Sequence, residues 1–308
     1  MKGESKVEAI ILSLKSIFSL HFMVYALISG VLISVCASLL GVNLVLKRYS
    51  MIGDGLSHVA FGSLAVATAL NVAPLKLSIP TVIVSAFILL RLNEKGKLKG
   101  DAVTAMISTG ALAVGVVAIS LSSGMNIDIY NYMFGSIFTL TKSDMVLSIC
   151  LASIVIPVYI ILYNRIFSVT FDTDFAHATG IKTQLYDSVI AILTALTIVI
   201  GMRFMGTLLI SSLIVFPPIT SMRIFKSFKG TVISSAILPL FSFLAGFFIS
   251  YYCDTPPGAS VVCVNIILFS AFSVVGILTR NRTSIINKLK TICNFAVKLI
   301  HFKSNTKQ

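Results

Sequence analysis

MVYALISGVLISVCASLLGVNLVL, residues 23–46, runs 24 positions without one charged side chain. Roughly 18 such residues suffice to cross the hydrocarbon of a bilayer, so this stretch reads as a membrane-spanning helix. Eight further apolar runs follow it, at 55–73, 77–92, 102–122, 144–163, 185–201, 204–222, 231–252 and 259–278. The expected fold is all-α: a polytopic transmembrane helical bundle of about eight or nine spans. The count is open at two places. The second and third runs are short and meet at Pro74, and only Met202-Arg203 separates the sixth from the seventh. Within the seventh, Pro217-Pro218 is expected to break the helix, because proline removes a backbone donor.

Composition agrees with a bilayer protein. The chain is 56% hydrophobic and 11% charged, against about 25% charged in an ordinary soluble domain. One membrane domain fits, with no soluble domain of ordinary size beside it. The net charge of +13 would raise nucleic acid as a partner in a soluble protein. Here it reads as topological, since Lys and Arg collect in loops on the cytoplasmic side. With nine crossings and an outer N-terminus, 18 of the 24 basic residues fall inside, among them Lys47, Arg48, the Arg91–Lys99 cluster and the tail from Arg280. The reverse orientation inverts that ratio. The expected organisation is an N-terminal surface segment over 1–22 without a signal-peptide cleavage site, a membrane domain over 23–279, and a basic cytoplasmic tail over 280–308. The aromatic, partly polar segment 123–143 is expected at the outer interface, where Tyr rings settle. The five cysteines contain no CxxC pair. Most read as small buried hydrophobes, and Cys253 and Cys263 are candidates for a bridge only if both lie at the outer face.

Polar groups inside apolar runs are the informative ones. Ten of the eleven acidic residues sit in loops, at the N-terminus or at span ends. Asp54 opens the second run, and His58 is the one histidine embedded in an apolar stretch. A spacing of four puts both on one helical face. Imidazole plus carboxylate suits divalent Zn, Mn or Fe. A structural reading stands beside this one: Asp54, after Gly53 and three residues before Ser57, can cap a helix, and His58 can be a hydrogen-bonded packing residue. Asn43, one run earlier, is the next residue on the candidate ion path. A second feature is Phe171-Asp172-Thr173-Asp174-Phe175-Ala176-His177-Ala178-Thr179-Gly180-Ile181. Asp172 can cap a short helix there, Phe175 and Ala178 share a face, Gly180 ends it, and His177 reads as solvated. Such a helix can dock in a partner's groove, or it can be a capped turn on the membrane surface. In the third feature, Gly201 to Met222, Gly206, Ser211 and Ser212 are small residues that let helices pack closely, and Met202 and Met205 are either packing residues or soft ligands. The sequence has no GxxxxGK[ST] phosphate loop and no HExxH motif.

These three segments, in this order, resemble the membrane permeases of the zinc/manganese/iron ABC importers over about residues 25–280. The most specific part is Leu46-Lys47-Arg48-Tyr49-Ser50-Met51-Ile52-Gly53-Asp54-Gly55-Leu56-Ser57-His58, where Gly55 replaces the family's usual Ala. Then come Phe171-Asp172 to Gly180-Ile181, and Gly206-Thr207-Leu208-Leu209 with Pro217. The resemblance implies a permease fold of the type II ABC importer kind, with eight or so spans, in a bacterial inner membrane. It implies no permanently bound cofactor and no ATPase site of its own. The implied partners are a cytoplasmic ATP-binding subunit, an extracytoplasmic metal-binding protein, and a second copy or a related permease completing the pore. Asp172, Phe175, Ala178 and Gly180 would form the coupling helix, and Asp54 and His58 would touch Zn, Mn or Fe in transit.

Three other functions compete. A permease for siderophores or cobalamin needs a wide pore and no ionic ligand pair. A secondary transporter needs no ATPase partner. An intramembrane enzyme needs a nucleophile–base pair, and none is evident. The charge pattern makes a direct prediction: residues 93–100, 171–182 and 280–308 face the cytoplasm. In a background lacking the native cysteines, Lys97→Cys and Thr283→Cys should both resist an impermeant thiol reagent in intact cells, and labelling of both from outside would reverse the topology.

Overall fold

The computed structural model describes residues 21–95, 100–122, 133–135 and 140–279. Helices occupy most of that length: α1 His21–Leu46, α2 Ser50–Ala69, α3 Pro74–Lys95, α4 Gly100–Leu121, α5 Lys142–Ile161, α6 Tyr163–Phe171, α7 Thr173–Ala178, α8 Thr183–Met222, α9 Phe228–Cys253 and α10 Pro257–Thr279. Each apolar run of the sequence has its body in one of them, overrunning the helix end by at most four residues. The expected surface segment before His21, most of 123–143 and the basic tail lie outside the described residues.

Local chemistry sets the boundaries. Pro74 occupies the first turn of α3, where its missing N–H costs nothing. Thr141 and Asp144 form a reciprocal capping box at the start of α5. α9 ends where Asp254 turns left-handed, at φ 49°.

α8 is 40 residues long, so a straight helix would extend about 60 Å, twice the hydrocarbon thickness. It is not straight. Gly206 has φ 79° and ψ 165°, the one non-helical residue within it. A straight helix would separate residues 201 and 210 by about 13.5 Å, yet the Ile210 Cδ1 lies 2.8 Å from a Cβ built on Gly201. The chain folds back on itself, giving two arms. The reversal therefore falls at Gly206, not at Met202-Arg203 as the sequence suggested. Met202 is fully buried, and Arg203 pairs with Asp144 at 2.8 Å.

Pro217-Pro218 is a second correction, because the second arm stays helical through both. The physical reason is close packing by a distant helix. A proline at 218 leaves the Ile214 carbonyl without its intrahelical donor. That oxygen is pressed against α1 at Gly41, where any Cβ would collide with it. The neighbouring turn is tied by the Ser221 hydroxyl, which donates to the Pro217 carbonyl at 2.8 Å.

Contacts define two ends of the bundle. At one end Asp144 meets Arg203, and Gly135, Gly206 and Gly258 bring three backbone segments together. At the other, Lys47 pairs with Asp187, Phe228 packs on Tyr163, Phe167 and Phe171, and Gly276 lies against the Arg223 carbonyl. Lys47, Lys182 and Arg223, all assigned to the cytoplasm by charge, thus share one end. α1 and both arms of α8 form the buried centre, with α9 and α5 against α1 and with α3 and α4 against α2. α4, α5 and α10 turn Met106, Val114, Ile154, Ile160, Ile267 and Val274 outward, as a lipid-facing surface requires. Seven described helices are long and apolar enough to cross a membrane. Counting the two arms of α8 separately and adding the more polar α2 recovers the nine runs.

The fold prediction concerns the reversal. Gly206→Ala would force a left-handed φ on a residue with a Cβ and set that Cβ 2.5 Å from the Met133 carbonyl oxygen and the Gly135 nitrogen. The cost is about 1–3 kcal/mol, or about 2–4 °C of melting temperature per kcal/mol. Gly110→Ala, whose Cβ meets nothing within 4 Å, should leave the melting temperature in detergent unchanged or raise it.

Candidate metal path and coupling surface

α2 begins at Ser50, with Tyr49 in the cap position and no side-chain cap bond. Asp54 therefore sits inside the helix, in its second turn, and the capping role considered for it does not hold. The carboxylate is free for other work. Asp54 and His58 lie one turn apart on the same face, with Oδ2 and Nε2 separated by 3.8 Å. That is beyond hydrogen-bond range. The Asp54 side chain is 45% exposed and that of His58 23%. The His58 Nδ1 is buried without a hydrogen-bond partner. Seven other buried side-chain atoms share that state among the described residues, Ser29 Oγ and Asn265 Nδ2 among them.

The local sequence explains this placement. Ile52, Gly53, Leu56 and Ala60 form the buried side of α2. Gly53 rests on Ile214, and Gly55 on Thr104 of α4. A Cβ at Gly55 would come within 2.6 Å of the Thr104 methyl carbon, so the small residue there serves close helix contact. The face left over carries Asp54 and His58. Among the described residues, no group of three or more His, Cys, Asp or Glu converges. Two hard-to-intermediate donors, one oxygen and one nitrogen, can meet a divalent transition metal but cannot complete its coordination.

Asn43 is not brought to this pair. It is buried in α1, accepts a hydrogen bond from the Thr170 hydroxyl at 3.3 Å, and lines a small cavity with Ile52 and Leu56. Ile52 and Leu56 precede Asp54 and His58 by two residues each, about 200° around a helix, so Asn43 faces the opposite side of α2.

The second sequence feature forms as expected. Asp172 caps α7, its carboxylate accepting from the Phe175 N–H at 2.8 Å. α7 ends in a Schellman arrangement: Ile181 N–H donates to the Ala176 carbonyl and Gly180 N–H to that of His177, with Gly180 at φ 81°. Ala176 is buried, while Phe175, at 62% exposed, and Ala178 project outward. A capped, rigid single turn thus presents an aromatic ring at the end of the bundle that holds Lys47 and Arg223. Cys253 and Cys263 are free thiols.

Two ion pairs escaped the sequence reading. Arg203 with Asp144 and Lys47 with Asp187 are 59 and 140 residues apart. Their charges were legible only as loop residues counted for topology; spacing carries no signal for such pairs.

The described residues thus form a bundle of membrane-length helices with a reversed hairpin at its centre and a His–carboxylate pair on α2. The chain belongs to the ABC 3 transport family, which it matches over residues 19–276. It is a multi-pass transport permease. It is 29% identical to the high-affinity zinc uptake system membrane protein ZnuB of Haemophilus influenzae, covering 79% of this chain and 94% of that protein. To ZnuB of Buchnera aphidicola from Acyrthosiphon pisum it is 32% identical, over 76% of this chain and 90% of the other. The manganese import system permease protein ScaB of Streptococcus gordonii is 27% identical, with 83% and 92% covered. Among solved structures, PsaBC from Streptococcus pneumoniae in complex with Fab superposes with a TM-score of 0.77 at 23% identity, covering 85% of this chain and 95% of that one.

The coupling-surface prediction is local. Asp172→Ala removes the α7 cap at a cost of about 1 kcal/mol. Amide exchange at Phe175 should rise severalfold while that in α8 stays unchanged, whereas an unaltered Phe175 amide would show that the cap does not hold the turn.

Proposed function

We propose that this chain is the membrane permease of an ATP-driven importer that carries a divalent transition metal, zinc, manganese or iron, across a bacterial cell membrane. The observation that carries the reading is the Asp54–His58 pair: one carboxylate and one imidazole 3.8 Å apart on a single face of α2, half-exposed in an otherwise apolar span. An Asp at the centre of a span costs about 2.5–3.5 kcal/mol on insertion scales; Asp54, in the second turn of α2, bears less of that cost, and a role in ion passage explains its presence. The metal permeases among the relatives support the substrate class. Few ligands suit passage, since an ion held tightly does not leave. A siderophore or cobalamin path has no use for this pair.

ATP binding belongs to a separate cytoplasmic subunit, in keeping with the absence of a phosphate loop from the sequence. Asp172, Phe175, Ala178 and Gly180 form the element that docks on it. An extracytoplasmic metal-binding protein delivers the ion, and a second copy or a related permease completes the pore.

The test uses substitutions that keep shape and remove ligand character. Asp54→Asn and His58→Gln should insert at normal levels and lower zinc or manganese uptake by about tenfold or more, the loss that follows from about 1.4 kcal/mol of lost ion binding. Uptake at the unmodified rate in both would place the path elsewhere. Phe175→Asp should abolish uptake and metal-stimulated ATP hydrolysis with the chain still in the membrane; normal assembly with the ATPase in that variant would remove α7 from the docking surface.

A further inference from the structure

The described ion pair of lowest exposure lies apart from the metal pair. The Lys47 ammonium meets the Asp187 carboxylate at 2.5 Å, with each side chain only 12% exposed. We propose that Lys47 and Asp187 form a latch that transmits movement of α7 to the α1–α2 unit carrying Asp54 and His58; the proposal rests on the permease reading above.

Three observations carry it. The first is connectivity. Lys47 is the residue after α1 and lies three before Ser50, the start of α2. The link is short and hydrogen-bonded: the Lys47 N–H donates to the Asn43 carbonyl at 3.0 Å and the Tyr49 N–H to that of Leu44 at 2.7 Å, with Arg48 turned left-handed at φ 63°. A force on Lys47 therefore reaches α2 without slack. Asp187 lies in the second turn of α8, which starts five residues after α7 ends. The Schellman closure at Gly180 and the Thr183 N–H bond to Ile181 make that joint equally short.

The second observation is burial. Charges so enclosed cost several kcal/mol each unless paired. Half-broken states are therefore disfavoured, and the contact is either made or fully released to water. Such a two-position contact is what a switching element needs.

The third is room for release. On one side the pair borders a polar cleft of about 490 Å³ lined by Asn93, Thr170, Thr173, Thr183 and Gln184. These hydroxyl and amide groups, with water, can receive both charges once separated. On the other side lies a narrow pocket bounded by Leu44, Ile52, Leu56 and Leu90 with Asn43 and Thr194, which at about 20 Å³ is too small to admit the charges with their water. The charges thus have one exit, toward α7. Lys47 and Asp187 are positioning residues here; neither touches the metal pair.

Two measurements on the complete complex in vesicles, with its ATP-binding subunit and metal-binding protein, test this. Zinc or manganese uptake is first read per ATP hydrolysed. Lys47→Gln and Asp187→Asn should each lower that ratio about tenfold while ATP hydrolysis continues, and the charge-reversed pair K47D/D187K should recover most of it, the outcome of a contact that is worth about 1.4 kcal/mol to one state. An unchanged ratio in the single variants overturns the latch, and so does a reversed pair no better than either single. The second readout does not depend on what is transported. Lys47→Cys with Asp187→Cys, in a cysteine-free background, is linked by a short bifunctional thiol-reactive reagent in the nucleotide-free complex. The reagent is a short bis-methanethiosulfonate, each cysteine displacing one methanesulfinate to form its disulfide; the yield should fall severalfold once ATP is trapped, and an equal yield in both states overturns the latch. Failure of the unmodified complex to import either metal would instead remove the functional reading and leave the linking result to decide the latch.

Discussion

Hydrocarbon offers no hydrogen bonds, and that one constraint organises the rest of the molecule. Every backbone donor and acceptor in the membrane has to be answered inside the protein, so the chain is helical almost wherever it is described. Departures are affordable only where protein packs against them. Gly206 is the clearest case: the backbone leaves helical geometry there, and the 133–135 segment and the start of α10 close around it through Gly135 and Gly258. The freed Ile214 carbonyl is handled in the same way, buried against Gly41 of the central helix. Small residues at these points are what permit backbone-to-backbone contact.

The same constraint gives Asp54 and His58 their meaning. Buried hydroxyls in this bundle mostly donate to carbonyls one turn back, as Ser57 does to Gly53 and Thr197 to Leu193. The His58 Nδ1 has no such partner, and its Nε2 stands too far from Asp54 for a hydrogen bond. A carboxylate and an imidazole left open to each other in an apolar slab are what the proposed passage of a divalent metal would use. Lys47 with Asp187 is the opposite arrangement, two charges that satisfy each other, set where the central helices meet the α7 turn.

Much of this was legible in the sequence because hydrophobic length is a local signal. The nine apolar runs needed only window counting, and the α7 turn only its Asp172 cap and its Gly180 stop. What was not legible depends on partners distant in the chain. Gly206 as the reversal point requires knowing that 133–135 packs into it, and the sequence drew the eye to Met202-Arg203, whose charge is in fact answered by Asp144. Proline was overweighted at 217 and 218 for a similar reason: its lost hydrogen bond is local, whereas the packing that keeps the arm helical involves Gly41 on another helix. Asp54 looked like a cap because the helix was expected to start at Gly55, and it starts five residues earlier.

The central claim is that a transported ion passes between Asp54 and His58. The most direct measurement is anomalous X-ray scattering from crystals of the assembled importer soaked in manganese or zinc and recorded above the metal's absorption edge. The account predicts a peak about 2.0–2.2 Å from a ring nitrogen of His58 and from the Asp54 carboxylate, absent from crystals carrying Asp54→Asn. A metal peak within the membrane domain that leaves both side chains untouched would contradict it.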